Sequence, residues 1–304
     1  MLKRVLIITV IFLILLLGWV LVNYVKDRLS PVADSGRAIG SSGRLFFGVP
    51  EEFLRRLSFT DTKAPARVDM KDLGEISPVV GLVEIEKKPA SLRTGALEEE
   101  YLVLYAKPSN AQAINISNWS LQSMVSDEWI GLPQGVEVFA VGEVNELQDI
   151  YLRPGERAIV ATRRSPVGLS FRVNRCSGFL EDTQDFHPPI STRCIVPEEL
   201  LPATVENIRT YGDACITFAH NLPSCTYVTS DTRGVDALSQ ACRDRLEPRL
   251  TQNYCASTHA RDADFYAPRE WRIFLNQDKT LWREDYEVVR LMDEEHRTID
   301  VINY

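Results

Sequence analysis

The chain places all six of its cysteines between Cys176 and Cys255, and this clustering constrains its fold more than any other feature. The six are Cys176, Cys194, Cys215, Cys225, Cys242 and Cys255. Their number is even and no C-x-x-C pair occurs, whereas structural zinc sites usually show closely spaced ligand pairs. Three disulfides are therefore expected ahead of two with free thiols, of reduced core cysteines and of a metal site, and with them an oxidising compartment, because disulfides persist there and are reduced in the cytosol. Spacing alone does not choose among the possible pairings.

A second feature agrees on the compartment. Val5 to Val22 form an apolar run broken only by Thr9 and Gly18, with no charge before Lys26. A run of this length spans the ~30 Å hydrocarbon core as one helix. Lys3 and Arg4 flank it on one side and Lys26 and Arg28 on the other. That count ties, and the terminal amine tips the N-terminus toward the cytoplasm. The expectation is an uncleaved signal anchor over residues 1–28 in the cell membrane, crossing once, with the body outside the cytoplasm. A cleaved signal peptide is the competing reading, but its apolar region is shorter and ends at a small-x-small site. Here the first small cluster, Ala33-Asp34-Ser35, lies beyond the charged flank. Thr9 and Gly18 offer little seam for packing on other helices, so the span reads as a tether.

Charge bears on partners. The chain carries a net charge of −8, and residues 1–30 hold four basic residues against one acidic, which leaves −11 for the rest. Nucleic-acid binding needs basic surface, and no Lys/Arg-rich stretch follows the anchor, so no nucleic-acid partner is expected.

Residues 29–78 read as tether or stalk. Pro31 to Arg44 are dense in Gly and Ser, and Glu51 to Leu57 have the pattern of a short helix. From Val79 the pattern turns to short β segments: Val80–Glu86, Tyr101–Tyr105, Ile114–Leu121, Val136–Val141, Ile150–Leu152, Ala158–Ala161 and Phe171–Val173. Turn residues separate them, as in a sandwich. Residues 175–268 hold every cysteine and carry helical patterns, one starting near Pro197, where proline is tolerated, and one over Val235–Cys242. Strand patterns return at Trp271–Leu275, Glu287–Met292 and Thr298–Tyr304, the last two as a hairpin. A connection of this length with its own cysteines is a subdomain.

Taken in order, the β segments resemble the lamin tail domain. Glu100-Tyr101-Leu102-Val103-Leu104-Tyr105 resembles that family's opening strand, Glu-Tyr-apolar-x-Leu-Tyr. Asn118-Trp119-Ser120-Leu121 resembles its Gly-Trp-(Ser/Thr)-Leu, with Asn118 where glycine is usual. Pro154-Gly155 precedes an apolar strand, as in the family, and Val289 to Tyr304 resemble its closing hairpin, lacking only the turn glycine. The resemblance covers about 99–174 and 269–304. It implies an immunoglobulin-like β-sandwich spanning 79–304 with the helical, Cys-rich segment as an insert, in an arrangement similar to bacterial membrane-anchored proteins. It also implies an interaction or scaffolding module without conserved catalytic residues.

Among individual residues, Tyr101, Trp119, Trp271 and Tyr304 are expected in the structural core, since a strand tryptophan normally buries its ring. Asn115-Ile116-Ser117 and Asn118-Trp119-Ser120 are glycosylation sequons but sit in a predicted strand. The acidic stretches Glu98–Glu100, Glu181–Asp185 and Asp262–Asp264 lack a calcium-loop pattern and read as solvated surface. His220 lies five residues before Cys225, the spacing that raises a thiol–imidazole pair, although a disulfide is the favoured fate of the cysteine. No G-x-S-x-G, Walker or dinucleotide fingerprint occurs, and no catalytic or cofactor-binding residue is assigned. The insert is either a recognition surface held in shape by disulfides or a cover for a sheet face or edge. The expected function is a membrane-anchored extracytoplasmic binding or scaffolding module for protein or envelope-polymer contacts. The alternatives are an envelope hydrolase with a site assembled from distant residues and an accessory subunit of a membrane complex.

Overall fold

A computed structural model describes residues 70–304 apart from 88, 191–193 and 195. The apolar run, the Gly/Ser tether and the helix expected at Glu51–Leu57 lie outside the described residues. Among the described residues no helix is long and apolar enough to cross a membrane.

The fold is mainly sheet with short helices and three disulfides. A five-stranded sheet has the order β1 (Val83–Ile85), β2 (Tyr101–Ala106), β7 (Arg157–Ala161), β9 (Glu270–Phe274), β8 (Phe171–Arg172). A four-stranded sheet has the order β11 (Thr298–Asn303), β10 (Val288–Met292), β4 (Ser120–Ser123), β5 (Trp129–Gly131). β3 (Ile114–Asn115) and β6 (Tyr151–Leu152) pair separately. The ladders between these strands are antiparallel except β7 with β9, which run parallel. The two large sheets share one core. Leu102, Leu104, Val160, Trp271 and Ile273 come to it from the first, and Leu121, Val289, Leu291, Ile299 and Ile302 from the second. Period-two alternation produces this division, since every second side chain of a strand faces the same way.

Residues 70–78 belong with this body and not with the tether. Leu73 is buried beside Met124 and Val288, and Ser77 donates its backbone N–H to the Thr298 carbonyl at 2.9 Å. Val136–Val141, expected as a strand, forms only a single bridge from Val136 to Phe171. Its backbone is satisfied by side chains instead: Gln252 bonds the Phe139 carbonyl, and Asn145 and Asn253 bond Ala140 and Val141. The helix expected from Pro197 does start there, as α2 (Pro197–Leu200; α1 is Gly178–Glu181), but Pro202 interrupts it. Proline restricts the residue before it and lacks the N–H that a helix interior needs. The chain re-enters helix as α3 (Val205–Tyr211), with Thr204 Oγ1 accepting from Asn207 N at 3.2 Å as N-cap. The pattern over Val235–Cys242 divides into a 3₁₀ turn and α5 (Gln240–Leu246), capped by Ser239. α4 (Asp213–Asn221) and α6 (Gln252–His259) complete the insert and were not anticipated.

The disulfides pair Cys176 with Cys255, Cys194 with Cys225 and Cys215 with Cys242, all within the insert's own core. That core includes Phe179, Leu201, Leu246, Leu250 and Phe265. A further cluster joins insert to sheet: Leu180, Phe186 and Ile190 pack on Ala161, Phe171 and Phe274. The insert therefore covers the outer face of the five-stranded sheet over β7, β9 and β8, which explains why every residue of β9 is buried while the outward side chains of β2 are not. Charged residues on that face are buried with it. Glu270 accepts from Arg157 Nε and Arg272 Nε, each at 2.7 Å, and Arg272 also bonds the carbonyls of Pro188 and Pro189 in the insert. Arg172 pairs with Glu156 and Glu137 and lies 3.9 Å from the centre of the Tyr266 ring, whose hydroxyl is pushed up to about 12, chiefly by burial.

Of the four residues expected in the core, Trp119 and Trp271 are fully buried. Tyr101 and Tyr304 are only partly buried at the core margins, and the Tyr304 hydroxyl donates to the Arg283 carbonyl at 3.0 Å. Glu100, expected on solvated surface, is buried and accepts from Leu281 N at 2.8 Å.

These burials set a pH dependence. Glu100, Glu287 and Asp300 are raised above the ordinary carboxylate range, each chiefly by burial and against hydrogen bonds that lower them. Asp278 and Asp293 are held below it: Asp278 by its bond to Arg164, and Asp293 by bonds from Ser77 and Arg297 that together outweigh its burial. A carboxyl raised on folding keeps its proton where the unfolded chain has lost it, so folding stability falls as pH climbs through the folded value. The depressed pair act at lower pH, where their contribution is lost on acidification. The melting temperature of the body is expected to be highest at mildly acidic pH and to decline toward neutrality. Glu100→Gln and Glu287→Gln should flatten that decline, and a profile that rises toward neutral pH would contradict the assignment.

Candidate functional site

The outer face of the four-stranded sheet carries a shallow cleft of about 280 Å³ lined by Gln122, Trp129, Arg290, Met292 and His296. Register explains which side chains reach it. Leu121 pairs with Ile130, and both Leu121 and Leu291 point into the core. Their neighbours Gln122, Trp129 and Arg290 must face outward, and Gln122 lies across from both others. A register irregularity between Leu291 and Met292 closes the strand beside the cleft, a place where bulges commonly re-aim side chains.

Each lining group is held. Arg290 donates from Nε to Thr298 Oγ1 at 2.8 Å, and its terminal nitrogens donate to Gln122 Oε1 and the His296 carbonyl, each at 3.3 Å. Burial pulls its pKa below the usual guanidinium value, with Asp293 opposing, and it stays charged at physiological pH. Gln122 Nε2 donates to Asp127 Oδ1 at 2.8 Å. The β10–β11 turn is built on Asp293, whose Oδ1 accepts from Glu295 N and Arg297 N and whose Oδ2 accepts from Arg297 Nε. That turn presents the His296 ring edge-on to Trp129, with centroids 5.4 Å apart.

Trp129 is the exposed member, at 61% of its surface, whereas Trp119, Trp271 and Trp282 are all buried. It also sits on an open edge, because β5 ends its sheet. The bonds Ser123 N to Glu128 O and Leu132 N to Trp119 O bracket the β4–β5 ladder. By antiparallel alternation, Trp129 and Gly131 turn their backbone N–H and C=O groups away from β4, toward that edge. The site thus offers a ring, a thioether, an amide and a guanidinium next to unpaired strand backbone. The indole of Trp129, the imidazole of His296 and these polar groups are suited to recognition of a ligand lying along the edge.

The positions singled out by sequence do not meet here. The six cysteines lie in the insert as disulfides, so Cys225 is bonded to Cys194, and the His220–Cys225 pairing is replaced by a contact of His220 Nε2 with the Leu201 carbonyl. Asn115 uses its side chain internally, accepting from Ser117 N and donating to Asp149. Among the described residues no group of three or more His, Cys, Asp or Glu is placed to hold a metal ion. Sequence reasoning missed Trp129, Arg290 and His296. The signal available was Ser126-Asp127 before Glu128-Trp129-Ile130, a turn leading into a short strand. No protein-family model, curated protein or solved structure matches the chain.

Proposed function

We propose that this chain is an extracytoplasmic binding module, held at the membrane by residues 5–22, that engages an extended polymer, protein or envelope glycan, across the cleft on its four-stranded sheet. The observation that carries the reading is Trp129, a large ring left in water on an open edge strand while its three counterparts in the body are buried. A half-exposed tryptophan beside fixed polar groups is the composition of a binding hot spot. An open strand edge adds main-chain donors and acceptors for an extended ligand.

The body is an immunoglobulin-like sandwich similar to the lamin tail domain. Two backbone angles support this. The resemblance departs from the family pattern at two glycines, and the residues standing there, Asn118 and His296, have φ of 65° and 61°. Both positions demand the left-handed region in which glycine is most at ease. Asn118 and His296 thus hold a backbone that a glycine would adopt most readily. The three disulfides support a body outside the cytoplasm.

Fluorescence tests the cleft. In a Trp19→Phe background, Trp129 is the one solvent-facing tryptophan of the described body. Soluble wall-glycan fragments and unstructured peptides are titrated separately into the full chain. One series is expected to shift its emission to the blue and shield it from acrylamide. By isothermal titration calorimetry, which does not use the tryptophan as reporter, Trp129→Ala should weaken binding by ~2 kcal/mol, about thirtyfold. Trp129 remaining fully quenchable in both series would defeat the proposal.

A further inference from the structure

Away from the cleft, four exposed apolar side chains crowd into ten residues: Val138, Val141, Val144 and Leu147. Val144 is completely exposed, at 103%. The loop is nonetheless built with care. Phe139 is buried against Phe171 and anchors its base. Asn145 closes on Ala140, with Oδ1 accepting from its N–H at 2.8 Å and Nδ2 donating to its carbonyl at 2.9 Å. Asn253 from α6 grips Val141 in the same two-handed way, at 2.8 and 2.9 Å. Its neighbour Gln252 donates to the Phe139 carbonyl at 2.5 Å.

Apolar side chains fixed in water lower stability and solubility unless something covers them, and fixing them beforehand reduces the ordering cost of that encounter. The charge of the loop says what the cover must look like. Between Gln134 and Leu152 there are four carboxylates, Glu137, Glu143, Glu146 and Asp149, and no Lys or Arg. Glu137 is spent on Arg172 and Arg153, and Asp149 bonds Asn115 and Gln134. Glu143 and Glu146 flank Val144 without a salt bridge among the described residues. A lipid surface is a poor match, since burying Val144 in it would carry the two flanking carboxylates out of bulk water with no basic partner to meet them.

We propose that this loop is a preformed docking knob for a protein whose surface offers an apolar pocket, to take Val144, with Lys or Arg at its rim, to meet Glu143 and Glu146. Rim charges of this kind set encounter rate and salt dependence, while the apolar tip holds the complex.

The test uses the full chain in cells that make it, with a photoreactive benzoyl-phenylalanine replacing Val144, and replacing the exposed Asp231 as control. The expected result is one protein adduct from position 144 and none from 231. The labelled peptide on the partner should carry apolar residues with Lys or Arg beside them. Glu146→Lys should cut the adduct about fivefold while leaving the melting temperature unchanged, because Glu146 is exposed; Glu143 is left in place, since its Oε1 accepts from Asn253 Nδ2 at 3.4 Å and so helps hold the loop. Four outcomes overturn the proposal: no adduct, an adduct to lipid, an adduct to a second copy of this chain, or a yield indifferent to charge reversal.

Discussion

Replacing Cys176 and Cys255 together by alanine should lower the stability of the body by about 4–5 kcal/mol, the largest loss expected from any one of its three bridges. The bond spans 79 residues, and although the other two bridges lie inside that span and shorten the loop it closes, which puts the loss at the lower end of this range, in the chain-entropy account the stabilisation grows with the logarithm of that loop. Cys215–Cys242 spans only 27 residues, which corresponds to about 3.5 kcal/mol on the same scale. All four sulfurs are buried, so the exchange for alanine removes similar packing in both pairs and the difference reports loop length. Denaturant midpoints of the two double variants give the comparison. If the Cys215/Cys242 variant proves the weaker, the loop argument fails for this fold. There is also a positional reason to expect the order stated. Cys176 follows β8 and Cys255 lies in α6, so this bridge ties the last part of the insert back to the point where it leaves the sheet.

A second large effect is expected at Trp271. It is fully buried on β9, between β7 and β8, and belongs to the core shared by both sheets. Trp271→Ala should cost ~3–5 kcal/mol through lost burial and the cavity left behind. Its indole Nε1 is buried without a hydrogen-bond partner among the described residues. Trp271→Phe then forfeits volume but no hydrogen bond, and should retain most of the stability. Equal melting temperatures for the alanine variant and the parent would remove Trp271 from the core. An equally large loss for phenylalanine would mean that the indole nitrogen has a partner after all.

The parts of the fold legible in the sequence are those whose signal is local. β2, β7, β9 and the β10–β11 hairpin announce themselves through branched and aromatic runs bounded by turns. The pairing capacity of the cysteines was readable from number and spacing, and their connectivity was not. Val136–Val141 misled because alternating valines resemble a strand. Whether such a segment pairs depends on Asn253 and Gln252, more than a hundred residues away. The charged residues of the covered face carry no local signal of their burial. Arg172, Glu156, Glu270 and Arg272 occupy places where an exposed strand would carry polar groups, and only the insert makes them interior. Trp129 was missed for a related reason. Its exposure follows from the register of β4 against β5, and three residues of strand are too few to reveal a face.

The position of β9 has a consequence for the order in which the chain assembles. This strand is central, joined to β7 on one side and β8 on the other, yet it enters the chain only after the whole insert. β10 and β11 follow it, so both sheets wait for the final thirty-five residues. A polypeptide emerging from its N-terminus exposes β7 and β8 with a vacant lane between them, and unfilled lanes invite foreign strands. Non-local completion of this sort is slow, because the intervening chain must be brought together before any pairing rewards it. Oxidative maturation of the insert shortens that path by delivering Glu270 close to Arg172. The insert thus stands in chain order between the vacant lane and the strand that fills it, and its closing bridge brings the two together.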